Sequence, residues 1–331
     1  MKKALCALLL VTAIAAVGEA AGRVPGFRSA FAIVISYGAI FVLLAGITCR
    51  VIQWSRSPVP FHIPTVCGQQ KTLPWIRSSR IESPSTTCGV AARMAVEILL
   101  FRSLFRNVRS RMVDGRRLVY REEKFLWLGA IAFHWSMLFI LVRHLRFFVE
   151  PVPRLALLVE SLDGFLQIGA PVLYLTDVVI LAALLYLLVR RLRDPLVRYV
   201  SLFADYFALF LLLGIALSGV WMRYISRVDP VAVKQFALSL TIFSPSLPAD
   251  PGALFFVHLA LVATLAAYLP FSKLMHAGGV FLSPTRNLAN NNRMKRHVNP
   301  WNAPVKVHTY EEWEEEFHDK IAAAGLPLER N

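Results

Sequence analysis

The chain has 331 residues, of which 56% are hydrophobic, and a formal net charge of +15. Several apolar runs of about 20 residues exclude an ordinary soluble core and predict an all-α, polytopic membrane helix bundle. The basic excess then belongs to loops beside membrane spans; no nucleic-acid motif accompanies it, so membrane lipid is the expected surface and nucleic acid is not an expected partner. The four cysteines, Cys6, Cys49, Cys67 and Cys88, form no CxxC or CxxCH pattern. That argues against an iron–sulfur cluster bound by this chain alone and against covalently attached haem. Cys67 and Cys88 could pair in principle, but their expected place on the reducing side disfavours a disulfide.

In chain order, residues 4–21 follow Lys2 and Lys3 and read as a first span. The basic start and the small residues at Ala20 and Ala21 also fit a cleaved leader. Residues 30–53 form a second span. The polar segment 54–124 opens with the turn-rich PVPFHIPTVCGQQKTLPWIRSSRIESP, an irregular loop. It continues with CGVAARMAVEILLFRSLFRNVRSRM, read as one basic amphipathic helix. Such a helix lies on an anionic membrane face or packs on a neighbouring subunit, and both readings stand. Further spans are expected at 125–149, 165–189, 200–222 and 253–275, with a short loop over 150–163. The polar tail from 277 ends in TYEEWEEEFHDKIAAAG, a helix with a Thr309/Glu312 capping box and a Gly325 stop. The expected organisation is two N-terminal transmembrane helices (1–53), a cytoplasmic loop with its amphipathic helix (54–124), a four-helix core (125–276) and a cytoplasmic tail (277–331). Basic residues concentrate in 55–124 and 190–198, while 150–164 and 224–251 are sparse. The positive-inside rule then predicts six spans in the cytoplasmic (inner) membrane, both termini cytoplasmic; leader cleavage would leave five.

Four histidines stand inside two of these spans. His134 and His144 share the third; His258 and His276 share the last. A lone histidine in a span is most often a hydrogen-bonded core residue, but ionisable groups in lipid are costly and two pairs ask for a task. In antiparallel helices His134 and His276 lie towards the cytoplasm, and His144 and His258 towards the outside. Two imidazoles per site suit a six-coordinate haem iron that transfers electrons and leaves no position for substrate. The spacings disagree, however. Ten residues of helix span about 15 Å and eighteen about 27 Å, so tilt or a kink at Pro270 is required. His62, His297, His308 and His318 read as ordinary polar residues. Asp177 reads as a hydrogen-bonded bundle residue, with proton handling the sharper option. Arg143 and Arg146 flank His144 and could meet haem propionates or anchor the interface.

The H-x9-H and H-x17-H pattern resembles the dihaem cytochrome b subunit of respiratory nitrate reductase, the NarI-like family, over roughly residues 125–276. PFHIPTVCGQQKTLPWI, LLFRSLFRN, SPTRNLANNN and RHVNPWN resemble the DsrM type, the membrane cytochrome of DsrMKJOP complexes in sulfur-metabolising prokaryotes. The nearest alternative is the NarI-like subunit of the Hmc complex. The resemblance implies two b haems, an inner one on His134 and His276 and an outer one on His144 and His258. It further implies menaquinone as exchangeable substrate near the outer haem, and a DsrK-like cytoplasmic iron–sulfur subunit with other DsrMKJOP-type subunits as partners. Glu160 and Asp163, in the 150–163 loop, then become candidates for taking protons from quinol, against the simpler reading of solvated edge carboxylates. A structural anchor and a proton-coupled transporter are the competing classes. The tail helix, with Trp313, Phe317 and Ile321 on one face, is expected to dock on the cytoplasmic partner; the rival is folding back on the basic segment 88–117.

Overall fold

The fold comes from a computed structural model that describes residues 2–57, 79–115, 117–167, 171–247, 251–290 and 307–329. His62, Cys67 and His297, and most of the stretches PFHIPTVCGQQKTLPWI and RHVNPWN, lie outside the described residues. Helices α1 (Lys2–Arg23) and α2 (Pro25–Ser55) open the chain. Small residues let α1 approach its neighbours closely: Ala4, Ala7, Val11, Gly18, Ala21 and Gly22 are its buried positions. Val24 and Pro25 separate the two helices, with the proline at the first turn of α2, where its missing N–H costs nothing.

The basic segment departs from the single helix expected. Helix α3 (Thr87–Leu100) starts on a Thr86 cap that accepts from Gly89 N–H and stops at Phe101, whose backbone is left-handed at φ 50°, ψ 47°. A single turn, α4 (Arg102–Phe105), leads to an antiparallel hairpin of β1 (Val108–Val113) and β2 (Arg117–Glu122). The reason is local. The connection carries Asp114 and Gly115 at φ 54° and 66°, the positive values a tight hairpin turn needs.

Helix α5 (Lys124–Phe148) follows directly. The expected loop after it contains α6 (Arg154–Asp163), then a short antiparallel pairing of β3 (Gly164–Leu166) with β4 (Leu173–Tyr174). The fourth span accordingly begins at Leu175 rather than 165, as α7 (Leu175–Arg193). A six-residue helix, α8 (Pro195–Val200), is capped by Asp194, which accepts from Leu196 N–H at 3.0 Å. Helix α9 (Phe203–Tyr224) and then α10 (Pro230–Thr241), inside another expected loop, precede α11 (Ala253–Tyr268).

The last span is shorter than its apolar run. After Tyr268 the chain tightens into a 3-10 turn at Leu269–Phe271, breaks at Ser272, makes a second 3-10 turn at Lys273–Met275, and enters the short α12 (His276–Gly279) and α13 (Pro284–Asn287). Pro270 forces the change, since it lacks an N–H for the helical ladder. Among the described residues five helices, α1, α2, α5, α9 and α11 with its first 3-10 turn, have the length and apolar composition to cross a membrane. Helix α7, with 19 residues, has span length too and packs between α5 and α9, though Asp177, Arg190, Arg191 and Arg193 charge its ends. The result is a polytopic helical membrane bundle.

The core is continuous through it. Ala7, Val11, Tyr206, Phe207, Leu211 and Leu261 join α1, α9 and α11. Ile180, Leu184 and Leu212 join α7 to α9. The tail helix α14 (Tyr310–Ala323) has the expected capping box, and Gly325 sits at φ 68°. Ile321 is buried and Trp313 exposed, with Trp313 and Phe317 ring centroids 5.8 Å apart. Glu314 is buried by the chain end, accepting from Glu329 N–H at 2.5 Å. Cys6, Cys49 and Cys88 are free and exposed.

Candidate functional site

The four span histidines form two pairs. His134 and His276 bring their ring centroids to 5.9 Å with planes at 79°. Two metal–imidazole bonds of about 2 Å each, plus the ring half-widths, place centroids about 6 Å apart, so the spacing fits one iron between them. His144 acts electrostatically on His258. The break at Pro270 and Ser272 brings His276 back to the depth of His134, and thereby removes the mismatch of helical spacings.

Each ring also has a defined tautomer. Nδ1–H of His134 donates to Ala130 O, that of His144 to Ile140 O and that of His276 to Lys273 O, each at 2.7 Å. A carbonyl only accepts, so the proton sits on Nδ1 and the Nε2 lone pair is free to bind a metal. His258 reaches the same state through a side chain. Ser218 donates its hydroxyl proton to Ile215 O at 3.0 Å, and its oxygen accepts from His258 Nδ1–H at 2.9 Å. Gly219 completes the seat; a Cβ there would stand 3.4 Å from His258 Cε1.

Helix α5 rests on α6, α7 and α10, whereas α11 rests on α1, α2 and α9, so the two histidine-bearing helices are not packed face to face. Among the described residues no three or more His, Cys, Asp or Glu side chains converge on a metal position. A pair of imidazoles across a slot suits haem iron, whose other four ligands belong to the porphyrin.

Towards the C-terminal end of α5 lies a polar network. Arg143 meets Asp163 at 3.2 Å and Asp177 at 3.0 Å, and stacks over the Tyr174 ring at 3.7 Å. Asp163, almost fully buried, also accepts from Thr176 N–H at 2.9 Å and Thr176 Oγ1 at 2.6 Å. Asp177 accepts from Tyr224 at 2.7 Å, the hydrogen-bonded role expected of it. Arg143 is thus committed to two carboxylates, and Asp163 has its acceptor positions filled, which leaves neither disengaged for propionate or quinol. Glu160 differs. It accepts from Arg146 and from Tyr174 Oη, each at 2.7 Å, and borders a cavity of about 440 Å³ with Gly164, Phe165, Val172 and Tyr174. Burial pushes its carboxyl up, but the Tyr174 hydroxyl and Arg146 guanidinium outweigh that and hold it below the usual carboxylate range.

Residues 116–297 match the model of the nitrate reductase gamma subunit family. Over 278 residues the chain is 42% identical to the Hdr-like menaquinol oxidoreductase cytochrome b-like subunit of Archaeoglobus fulgidus, covering 82% of this chain and 83% of that one. The protein of the same description from Archaeoglobus profundus is 44% identical over 270 residues, 80% of this chain and 79% of its own. The chain belongs to the nitrate reductase gamma subunit family. As a gamma-type chain it carries all four paired histidines and the outer polar network within the matched region. Sequence reasoning missed Ser218, Tyr174 and Tyr224. Serine and tyrosine in apolar helices carry no spacing signal, and their partners lie 40 to 50 residues away.

Proposed function

We propose that this chain is the membrane cytochrome b of a quinone-linked oxidoreductase complex, holding two b haems between α5 and α11. His134 and His276 would hold the inner haem, and His144 and His258 the outer one. The observation that carries this reading is the meeting of His134 with His276, ring centroids 5.9 Å apart, with all four histidines engaged at Nδ1. A bound haem supplies one-electron transfer. This chain's residues would hold each haem iron through two imidazoles, each oriented by its Nδ1 bond, with the two pairs at different depths of the membrane. The quinone site is assigned to the outer end, where the ionised Glu160 can accept a hydrogen bond from a quinol hydroxyl entering the cavity beside Tyr174. Menaquinol is the natural substrate class, since both relatives are menaquinol oxidoreductase subunits. The pyridine haemochrome of the purified protein tests the reading: two non-covalent b haems per chain are expected, and none would leave a structural anchor or a transporter. His134→Ala and His276→Ala should remove the same haem, and His144→Ala and His258→Ala the other; a crossed pattern breaks the pairing.

The finer assignment follows the loop motifs: a DsrM-type subunit delivering electrons to, or taking them from, a DsrK-like cytoplasmic iron–sulfur subunit, with both termini cytoplasmic. The tail supports it through Trp313, exposed beside Phe317 on a helix whose first turn holds Glu311 and Glu312. Deleting 305–331 should release the soluble subunit on purification while both haem spectra persist; full retention argues for folding back on the chain itself.

A further inference from the structure

Phe101 combines three features that the helix end alone does not require. Its backbone is left-handed, at φ 50° and ψ 47°, a region that bulky side chains rarely adopt. Its ring lies edge-on to His134, with centroids 4.8 Å apart and planes at 82°. The carbonyls just before it are held from the histidine's own helix: Trp127 Nε1–H donates to Leu100 O at 2.7 Å and Trp135 Nε1–H to Leu99 O at 3.1 Å. The other side of the seat is tied to the segment after His276. Arg286, on α13, pairs with Glu97 and donates to Ser103 Oγ at 3.3 Å, and Glu97 accepts from Ser103 N–H at 3.1 Å. A strained residue persists only where its surroundings over-determine it, and such residues cluster at functional sites.

We infer that Phe101 is a positioning residue for the inner histidine pair, pressing its ring on His134 so that the imidazole planes of His134 and His276 stay nearly perpendicular and cytoplasmic water is kept off them. The Nδ1 bond to Ala130 fixes which edge of the His134 ring faces its partner, and Phe133, 4.9 Å away, supports the ring from its own helix. Phe101 supplies the lateral contact from a different element. Because that element is anchored to both ligand-bearing segments, the relative twist of the two rings is coupled to the α3–α4 corner. The inference rests on the haem assignment proposed above.

The relative twist of two axial imidazoles sets the anisotropy of the low-spin ferric signal, and water near a haem favours its ferric form. The test uses the full chain in membranes, with haem stoichiometry, the low-spin electron paramagnetic resonance line and the inner haem's midpoint potential as readouts. Phe101→Leu and Phe101→Gly should keep two haems, shift the low-spin line of the inner haem alone and lower its potential. Phe101→Tyr, which keeps the ring, should restore both. Should Phe101→Gly fail to accumulate, Trp127→Phe, which only cuts the tether at Leu100, should give the same shift in smaller degree. An unchanged line and potential in Phe101→Leu and Trp127→Phe overturns the inference, as does an equal change in Phe101→Tyr. Absence of haem from the unsubstituted protein overturns the haem assignment instead, so the two failures are distinguishable.

Discussion

Ser218 fixes the tautomer of His258 from a neighbouring helix. The other three histidines donate Nδ1–H to a carbonyl on their own segment. His258 instead depends on a hydroxyl that is itself oriented by Ile215 O. Partners of this kind typically cost about 10–100-fold in metal affinity when removed. Ser218→Ala should therefore weaken the outer haem by about that factor and leave the inner one in place. Haem retained through repeated detergent washes, followed by difference spectra, measures this. Equal retention of both haems would show that the Ile215 carbonyl suffices to orient His258 without the hydroxyl. Ser218→Thr keeps the hydroxyl and should behave as the parent. The neighbouring Gly219 leaves the ring no slack, since an added Cβ would already touch it at 3.4 Å.

The break in the last span shows how far an element can be read from its residues. Pro270 is visible in the sequence, and so is the conflict between ten and eighteen residues of helix. What is not visible is that the chain makes two 3-10 turns around Ser272 before His276. Pro270 also fills a notch on α2, where a Cβ on Gly46 would stand 2.6 Å from the proline ring. Pro270→Leu should let the helix run on, carry His276 out of register with His134 and lower the inner haem content, with the outer haem kept. Low-temperature difference spectra decide it; loss of the outer haem first would assign the break another role. The hairpin at 108–122 is the opposite case. RSLFRNVRSRM repeats its arginines at three to four residues as well as at two, so a helical reading absorbs it. The stronger signal is Asp114–Gly115, a hairpin dipeptide. The fourth span was placed from its apolar residues, yet 164–166 and 173–174 pair as strands, because a run that short leaves strand and helix undistinguished by pattern. The outer network was the least legible part. Arg143 and Asp163 are readable as charged residues, but nothing local announces that Thr176 and Asp177 would consume their bonding capacity, or that Tyr224 would bond Asp177.

The bundle as one body depends on its first helix. Helix α1 places Gly18 and Gly22 directly against α11. A Cβ on Gly18 would stand 2.6 Å from Phe256 O and 2.9 Å from Val257 Cα, and one on Gly22 2.6 Å from the Phe256 ring. Phe256 is itself fully buried, and the next turn of that helix carries His258 and Ala260. Close backbone approach of this sort replaces the hydrophobic drive that lipid cannot supply between helices. Overpacking a close-fitted seam typically costs about 1–3 kcal/mol. The atom met at Gly18 is backbone, which cannot rotate away as a flexible side chain would. Gly18→Leu should therefore part α1 from α11, lower the thermal midpoint in detergent and loosen the His258 end of the slot. Gly26→Ala is the control, because nothing lies within 4 Å of a Cβ at that position. If Gly18→Leu melts with the parent, α1 is a passive neighbour, and the buried face it presents to α11 contributes nothing to the stability of the histidine slot.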